Sequence, residues 1–526
     1  MIMYPADESL ALLFSGAIPL APLALMRSAL ALGTSVERIA AAEAALRAGG
    51  ASWREGIGRW IASLVPVESL VPDAQQEWRP LVRDAMQYVF SRLPERRLAT
   101  KIVEQMELPA GTPPEQRLIR LISKMPGLQK LGQVLARNRR LAAPLREALC
   151  ELENGMADVT PEEMHAIIRQ ELGPQMETYG VEMEPSIHKE GSASAIVKFT
   201  WRKPRREREQ GAFKVLKPYV PQCFAEDMTL LQGLGESLAA RDAGYRFAVR
   251  DVKEMISEVR LLLEHELDFV REQATLSEAH RLYGSRFGIR VPRLIRPLCT
   301  ADITAMSAEH GVKVTEAFRR SPLRRNQIAG QVIEALLAVP LFSHEAEVVC
   351  HADPHAGNLL YDEPNRELVI LDWALTEHLS LALRRHLLLL AVMMLLRKPA
   401  GVSQAICGLS RPRRRGRRPP KRLIERYVNR FFAELPAGSS PDVLDAMMLL
   451  DELAFRGVRF SSALFMFRKV LFTLDGVLHD VAGDGVRMDQ VIAREFLTRC
   501  IASFGVFHEP LLMKDLLPVA RTLLPV

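Results

Sequence analysis

The segment from Val348 to Leu375, VVCHADPHAGNLLYDEPNRELVILDWAL, constrains this chain more than any other stretch. It sets His351, Asp353 and Asn358 in one short loop and follows them with two apolar runs, LLY and ELVIL, separated by DEPNR. Short apolar runs broken by Pro364 and Asn365 predict a strand pair joined by a turn. Asp372 closes the second run. Such a chain must hold three oxygen-bearing side chains around a small hairpin.

An H-x-D-x-x-x-x-N loop, a strand pair and a second Asp, in that order, form the pattern of a phosphoryl-transfer site. A nucleotide triphosphate carries dense negative charge, which hard cations neutralise through carboxylate and amide oxygens. Asn358 and Asp372 supply both kinds, and Asp353 would orient or deprotonate a hydroxyl or water. A lone D-x-x-x-x-N is common by chance. The strand pair and Asp372 carry the reading.

At 526 residues, with 48% hydrophobic residues, the chain predicts two or three folded domains and excludes general disorder. Its net charge of +6 is concentrated in RPRRRGRRPPKR, Arg411 to Arg422, which holds eight basic residues. Without that run the chain is near neutral. The run has no interleaved aromatics, so nucleic-acid binding is not expected; it reads as a solvated insertion or a contact for phospholipid headgroups.

Six cysteines, at 150, 223, 299, 350, 407 and 500, form no C-x-x-C and fit a reducing, cytoplasmic compartment. Cys350 reads as a buried strand residue. The apolar stretch Leu10 to Met26 contains Pro19 and Pro22 and follows Asp7 and Glu8, so it predicts a packed or interfacial helix and not a secretory signal. The run Leu387 to Leu396 predicts a buried core helix.

Residues 1–112 read as helical, with breaks near Gly49 and Gly50, and carry no evident chemistry. Residues 113–180 form a helical extension, in which Thr160-Pro161-Glu162-Glu163 predicts a helix start. Residues 181–311 predict a sheet-bearing lobe: EGSASAIVKFTWRK and AFKVLKP as strands around the polar tip PRREREQG, then a long helical stretch from Val252 to Tyr283, then two short strands within VPRLIRPLCTADITAMSAEHG. Residues 312–526 predict a helical large lobe holding the loop.

Four motifs give the chain a resemblance to the UbiB/AarF family of atypical, protein-kinase-like kinases, which is linked to ubiquinone and other isoprenoid-lipid pathways. KLGQ at Lys130 to Gln133 resembles its K-x-G-Q signature, and ELD at Glu266 to Asp268 its E-x-D signature. The others are AFK, ending at Lys214, and HADPHAGN with LDWA. The motifs span Lys130 to Ala374 and leave the first ~110 residues uncovered.

The resemblance implies an α+β, protein-kinase-like two-lobe fold with an N-terminal helical extension across the cleft. It implies ATP or ADP and Mg²⁺ as ligands, with Asp353 catalytic and Asn358 and Asp372 on the metal. Lys214 takes the position of the lysine that contacts the nucleotide phosphates, with Glu258 as its candidate partner and Glu254 and Glu264 as alternatives. Lys130 and Gln133 should lie over the nucleotide, with Lys130 near Glu266 or Asp268. The phosphate loop would be Gly191, Ser192, Ala193 and Ser194, rich in Ala and Ser where ordinary kinases repeat glycine.

Two departures stand out: Ala356 where the family usually has Pro, and Trp373-Ala374 in place of the common Phe-Gly. A cleft covered in this way favours a small or lipid-like acceptor, or water, over protein. An anionic or isoprenoid lipid partner and a location peripheral to a membrane follow as expectations. The alternative is a nucleotide-binding pseudokinase scaffold for a lipid-pathway complex. A phosphotransferase for antibiotics or choline would share the loop but leave KLGQ and ELD unexplained.

Overall fold

The computed structural model describes residues 33–502 apart from 72, 74–75, 77–78, 110, 137–157, 203–207, 241–248, 285, 412–420 and 437–440. The stretch Leu10 to Met26, Cys150, half of the hairpin tip and most of the Arg411 to Arg422 run therefore lie outside the described residues. The chain divides into two compact units, Met1–Phe269 with Arg296–Ala305, and Val270–Ile295 with Met306–Val526. In chain order the strands are β1 (Glu182–Met183), β2 (Lys189–Glu190), β3 (Ser194–Arg202), β4 (Arg208–Leu216), β5 (Ile289–Arg290) and β6 (Ile303–Ser307). They continue with β7 (Val312–Lys313), β8 (Glu347–His351), β9 (Leu359–Asp362), β10 (Glu367–Ile370) and β11 (Thr376–Ser380).

The first described helix of the first unit is Ser35–Leu64, started by a capping box between Thr34 and Glu37 and kinked at Gly50, where φ is 70°. Trp53, Ile57 and Ile61 of this helix pack with Phe90 of helix Arg79–Arg92 and with Leu98 and Ile102 of helix Glu95–Glu107. The same core runs on through Leu121 and Met125 into Leu231, Leu234 and Leu238 of helix Val220–Ala240 and Leu263 of helix Val249–Leu267. A fully buried Leu, Ile or Phe contributes about 1.5–3 kcal/mol, so the N-terminal helices are structural parts of this unit.

A buried polar joint accompanies that core. Asp227 is 1% exposed; one carboxylate oxygen receives Arg97 at 2.7 Å and the other receives the Gly127 N–H at 2.9 Å. Gly127 lies in the first turn of helix Pro126–Ala136, so the carboxylate also satisfies an orphan donor of that helix.

The sheet of this unit runs β1-β3-β4-β6, with β2 also paired to β3. Along β3, Ala195, Val197, Phe199 and Trp201 face inward, the period of two that its sequence predicts. Phe199 stacks on Phe213 at 3.9 Å and lies across from Gly211, where a Cβ would sit 2.4 Å from the Phe199 ring. Thr160 and Glu163 form a capping box at the start of helix Pro161–Thr178. The long helical stretch expected from Val252 to Tyr283 is made of two helices, Val249–Leu267 and Phe269–Tyr283, broken at Asp268.

In the second unit β9 and β10 form an antiparallel pair from Leu359 opposite Ile370 to Asp362 opposite Glu367. β5 joins β10 in parallel, β7 joins β9, and β8 pairs with β11. Of the two short strands expected within VPRLIRPLCTADITAMSAEHG, β6 is present, and the earlier part of the segment contributes an isolated bridge, Leu294 to Met306. From Leu381 onward the described elements are helical. Helix Leu381–Leu395 buries Leu387, Leu388, Leu390 and Met394, together with Arg384, whose guanidinium is held by the carbonyls of Leu379, Pro340, Ser343 and Glu345. Among the described residues no helix is long and apolar enough to cross a membrane.

Candidate active site

The candidate residues form two groups, one in each unit. In the first unit Lys214 sits in β4 opposite Ile196 of β3, with its amine 5.5 Å from the Phe269 ring centre. Only 8% of Lys214 is exposed, so its ammonium is held in a place of low dielectric, where an anionic ligand is felt strongly. Lys217, three residues on, is wholly buried between Asp158 and Glu190. The structure thereby separates two lysines that the sequence leaves chemically alike.

The segment Gly191 to Ser194 is a tight loop between β2 and β3. The Gly191 N–H donates to the Ser194 carbonyl at 2.7 Å, and the Lys217 N–H donates to the Ala193 carbonyl at 3.0 Å. The Ser192 hydroxyl donates to Glu266 at 3.3 Å, and Glu266 also forms an ion pair with Lys130. Lys130, Ser192 and Glu266 are thus brought together, while Asp268 is exposed at the break between its two helices. Gln133 lies on the same helix as Lys130, and Glu254 and Glu258 lie on helix Val249–Leu267, but their side chains are outside what is described. Glu264 pairs with Arg260 at 2.8 Å, with both side chains about half exposed.

In the second unit the loop after β8 is pinned by its own histidines. The ring of His351 accepts the Asp353 N–H at Nδ1 (3.3 Å), which leaves Nε2 to donate to the Leu371 carbonyl at 3.0 Å. Burial lowers the His351 pKa, with the Leu371 hydrogen bond acting the other way, so the neutral ring is favoured. His355 accepts the Gly357 N–H at Nδ1 (3.0 Å) and lies 3.7 Å from the Asp353 carboxylate. Both histidines fix the loop.

Asn358 closes the 3₁₀ turn Ala356–Asn358, donates its side-chain amide to the Asp353 carbonyl at 3.2 Å, and accepts the Leu371 N–H at its own carbonyl at 2.9 Å. Asp372 follows Leu371 in the left-handed region, with φ at 53°. Asp tolerates that conformation better than most residues, and its carboxylate accepts the Ala374 N–H at 3.3 Å. Trp373 is buried, donates to the Ile370 carbonyl at 3.2 Å and meets the His351 ring edge-on at 5.0 Å. Its carbonyl receives the Thr275 hydroxyl at 2.8 Å. Trp373 therefore anchors the neighbouring Asp372 to helix Phe269–Tyr283 through Thr275.

Cys350, 1% exposed, has its thiol pushed up to about 12 by burial and is no nucleophile at neutral pH. One neighbour was not read from the sequence: Lys469 of helix Ser462–Ala482 places its amine 3.9 Å from the Asp353 carboxylate. Its signal, Arg468-Lys469 set among apolar residues, is too weak to single out from sequence. Asn358 and Asp372 present amide and carboxylate oxygens, the donor chemistry that suits Mg²⁺, an ion that takes one or two protein oxygens and fills its other positions with phosphate and water.

A carboxylate-bearing loop, a strand lysine and a mixed helical and sheet architecture define a kinase-like protein. Residues 151–405, just under half of the chain, match the family model of the ABC1 atypical kinase-like domain, and the chain's relatives include UbiB and COQ8B, members of the ABC1/UbiB family. It is 25% identical to the probable protein kinase UbiB of Aeromonas salmonicida over 58% of this chain and 52% of that protein. It is 24% identical to the mitochondrial atypical kinase COQ8B of Rattus norvegicus over 49% of this chain and 47% of the relative. An uncharacterized protein of Mycobacterium tuberculosis matches at 26% identity over 51% and 55%. The chain spans about half the length of these relatives. Among solved structures, Rv3197 of Mycobacterium tuberculosis in complex with erythromycin aligns with a TM-score of 0.43 at 17% identity, covering 70% of this chain and 91% of that one.

Proposed function

We propose that this protein binds ATP or ADP with Mg²⁺ and acts as an atypical kinase or ATPase on a small or lipid-like acceptor, or on water, in or near isoprenoid-quinone metabolism. The observation that supports this reading is the single hydrogen-bonded circuit Asp353, Asn358, Leu371, His351, which ties the carboxylate loop to the residue before Asp372. In this reading Lys214 holds the nucleotide phosphates, Asn358 and Asp372 hold the metal, and Asp353 orients the attacking hydroxyl and receives its proton. The Gly191 to Ser194 loop and the Lys130, Gln133, Glu266 and Asp268 group cover the nucleotide, with Glu258 the partner of Lys214. A bound Mg²⁺ would neutralise phosphate charge. The basic run at Arg411 to Arg422 supplies charge complementary to an anionic lipid surface.

Calorimetry with ADP and ATP, with and without magnesium, tests binding, and turnover with and without anionic vesicles tests the activity. Magnesium-dependent uptake that Asp372→Ala removes is expected. Asp353→Asn should keep nucleotide affinity while turnover falls about 100-fold or more. Absence of magnesium-dependent uptake by the unaltered chain would overturn the reading. Biological complementation by Asp353→Asn at the level of the unaltered chain would replace it with the scaffold.

A further inference from the structure

We infer that Lys217 is a positioning residue for the nucleotide-binding loop, acting through Asp158 and Glu190; the inference rests on the nucleotide-binding reading above. Lys217 has no exposed surface, and its amine lies 2.6 Å from Asp158 and 3.0 Å from Glu190. The Tyr219 hydroxyl donates to the second Asp158 oxygen at 2.7 Å, and the Asp158 N–H donates to Glu190 at 3.2 Å. Glu190 is the last residue of β2, directly before Gly191. On the other side of the loop the Lys217 N–H holds the Ala193 carbonyl at 3.0 Å. One residue therefore grips the loop at both shoulders, with its side chain at the entry and its backbone at the exit.

Two physical consequences follow. Sealed from solvent and committed to two carboxylates, Lys217 cannot itself reach a phosphate. Its role is to fix the conformation of a loop whose Cβ-bearing residues leave little freedom for adjustment. It also neutralises part of the charge of two acids standing directly behind that loop. Without the ammonium, Asp158 and Glu190 would repel an incoming phosphate through a medium of low dielectric.

The test uses the full chain, a fluorescent ATP analogue with Mg²⁺, thermal unfolding, and hydrogen exchange at the amides of Gly191 to Ser194. Lys217→Met should weaken nucleotide binding roughly tenfold or more. Because that change strands two buried carboxylates and threatens folding, Asp158→Asn is the second variant. It should fold, exchange its loop amides faster than the unaltered chain, and bind the analogue several-fold more weakly. A purely structural cluster would lower the unfolding temperature and leave the affinity of the folded fraction unchanged, which would overturn the inference. If the unaltered chain fails to bind the analogue, the nucleotide reading falls. Unchanged loop exchange in Asp158→Asn would separately sink the role given to Lys217.

Discussion

Lys130 and Glu266, 136 residues apart in the chain, form an ion pair whose carboxylate also accepts the Ser192 hydroxyl. The lysine side chain is 10% exposed and the glutamate 23%, so the pair is largely shielded. The nearby Arg260 and Glu264 pair, at 56% and 43%, is open to water. Removing one partner of a shielded pair leaves the other uncompensated, whereas surface pairs contribute little. Glu266→Ala should therefore destabilise by about 2 kcal/mol or more and Glu264→Ala by about 0–0.5 kcal/mol, read from denaturant unfolding of both variants.

Lys469 should matter through Asp353. Placed 3.9 Å from the carboxylate, its ammonium restrains the group that would orient the attacking oxygen. Lys469→Met is expected to lower turnover about tenfold at unchanged nucleotide affinity, and Lys469→Arg to lose less. Steady-state kinetics with separate binding titrations would check the split. An equal fall in affinity would mean that the lysine acts on the nucleotide instead.

Acid should loosen the second unit by way of His351. Burial holds its pKa below the ordinary value of 6.5, so below that pH the unfolded chain takes up a proton that the folded chain refuses. Stability is then full above about pH 6.5 and falls as pH drops toward the folded-state pKa, by up to about 1.4 kcal/mol per pH unit. Unfolding curves at several pH values should show a shallower acid decline for His351→Gln than for the unaltered chain. Parallel declines would assign the acid sensitivity to other groups.

Asp227→Ala should be among the costliest single changes in the first unit. It deprives Arg97, 16% exposed, of a buried partner and leaves the Gly127 N–H unmet. A loss of about 3–5 kcal/mol is expected from denaturant titration. A change below about 1 kcal/mol would show that water replaces the carboxylate.

The parts of this architecture that were legible in the sequence are those set by local pattern. The β9 and β10 pair follows from two apolar runs around DEPNR, the helix start at Thr160 from its capping box, and the inward face of β3 from simple alternation. Of the two strands expected within VPRLIRPLCTADITAMSAEHG one forms, as β6, and the earlier part gives an isolated bridge, because an apolar stretch reads as a strand whether or not a neighbour is in position to pair with it. The AFK motif singles out Lys214 over Lys217, but the burial of Lys217 could not be read from the sequence, since it depends on Asp158, 59 residues earlier. Lys469 was invisible for the same reason: its contact with Asp353 is created by folding and leaves no mark on the spacing of either residue.

The shared interior that joins Trp53 and Phe90 to Leu231, Leu234 and Leu238 bears on how the protein can be cut. A fragment beginning at residue 151, where the family match starts, would strip one wall from that interior and leave a greasy flank open to self-association. Trimming to the recognised boundaries would therefore yield a damaged molecule, and expression work is better begun upstream of the Thr34 cap.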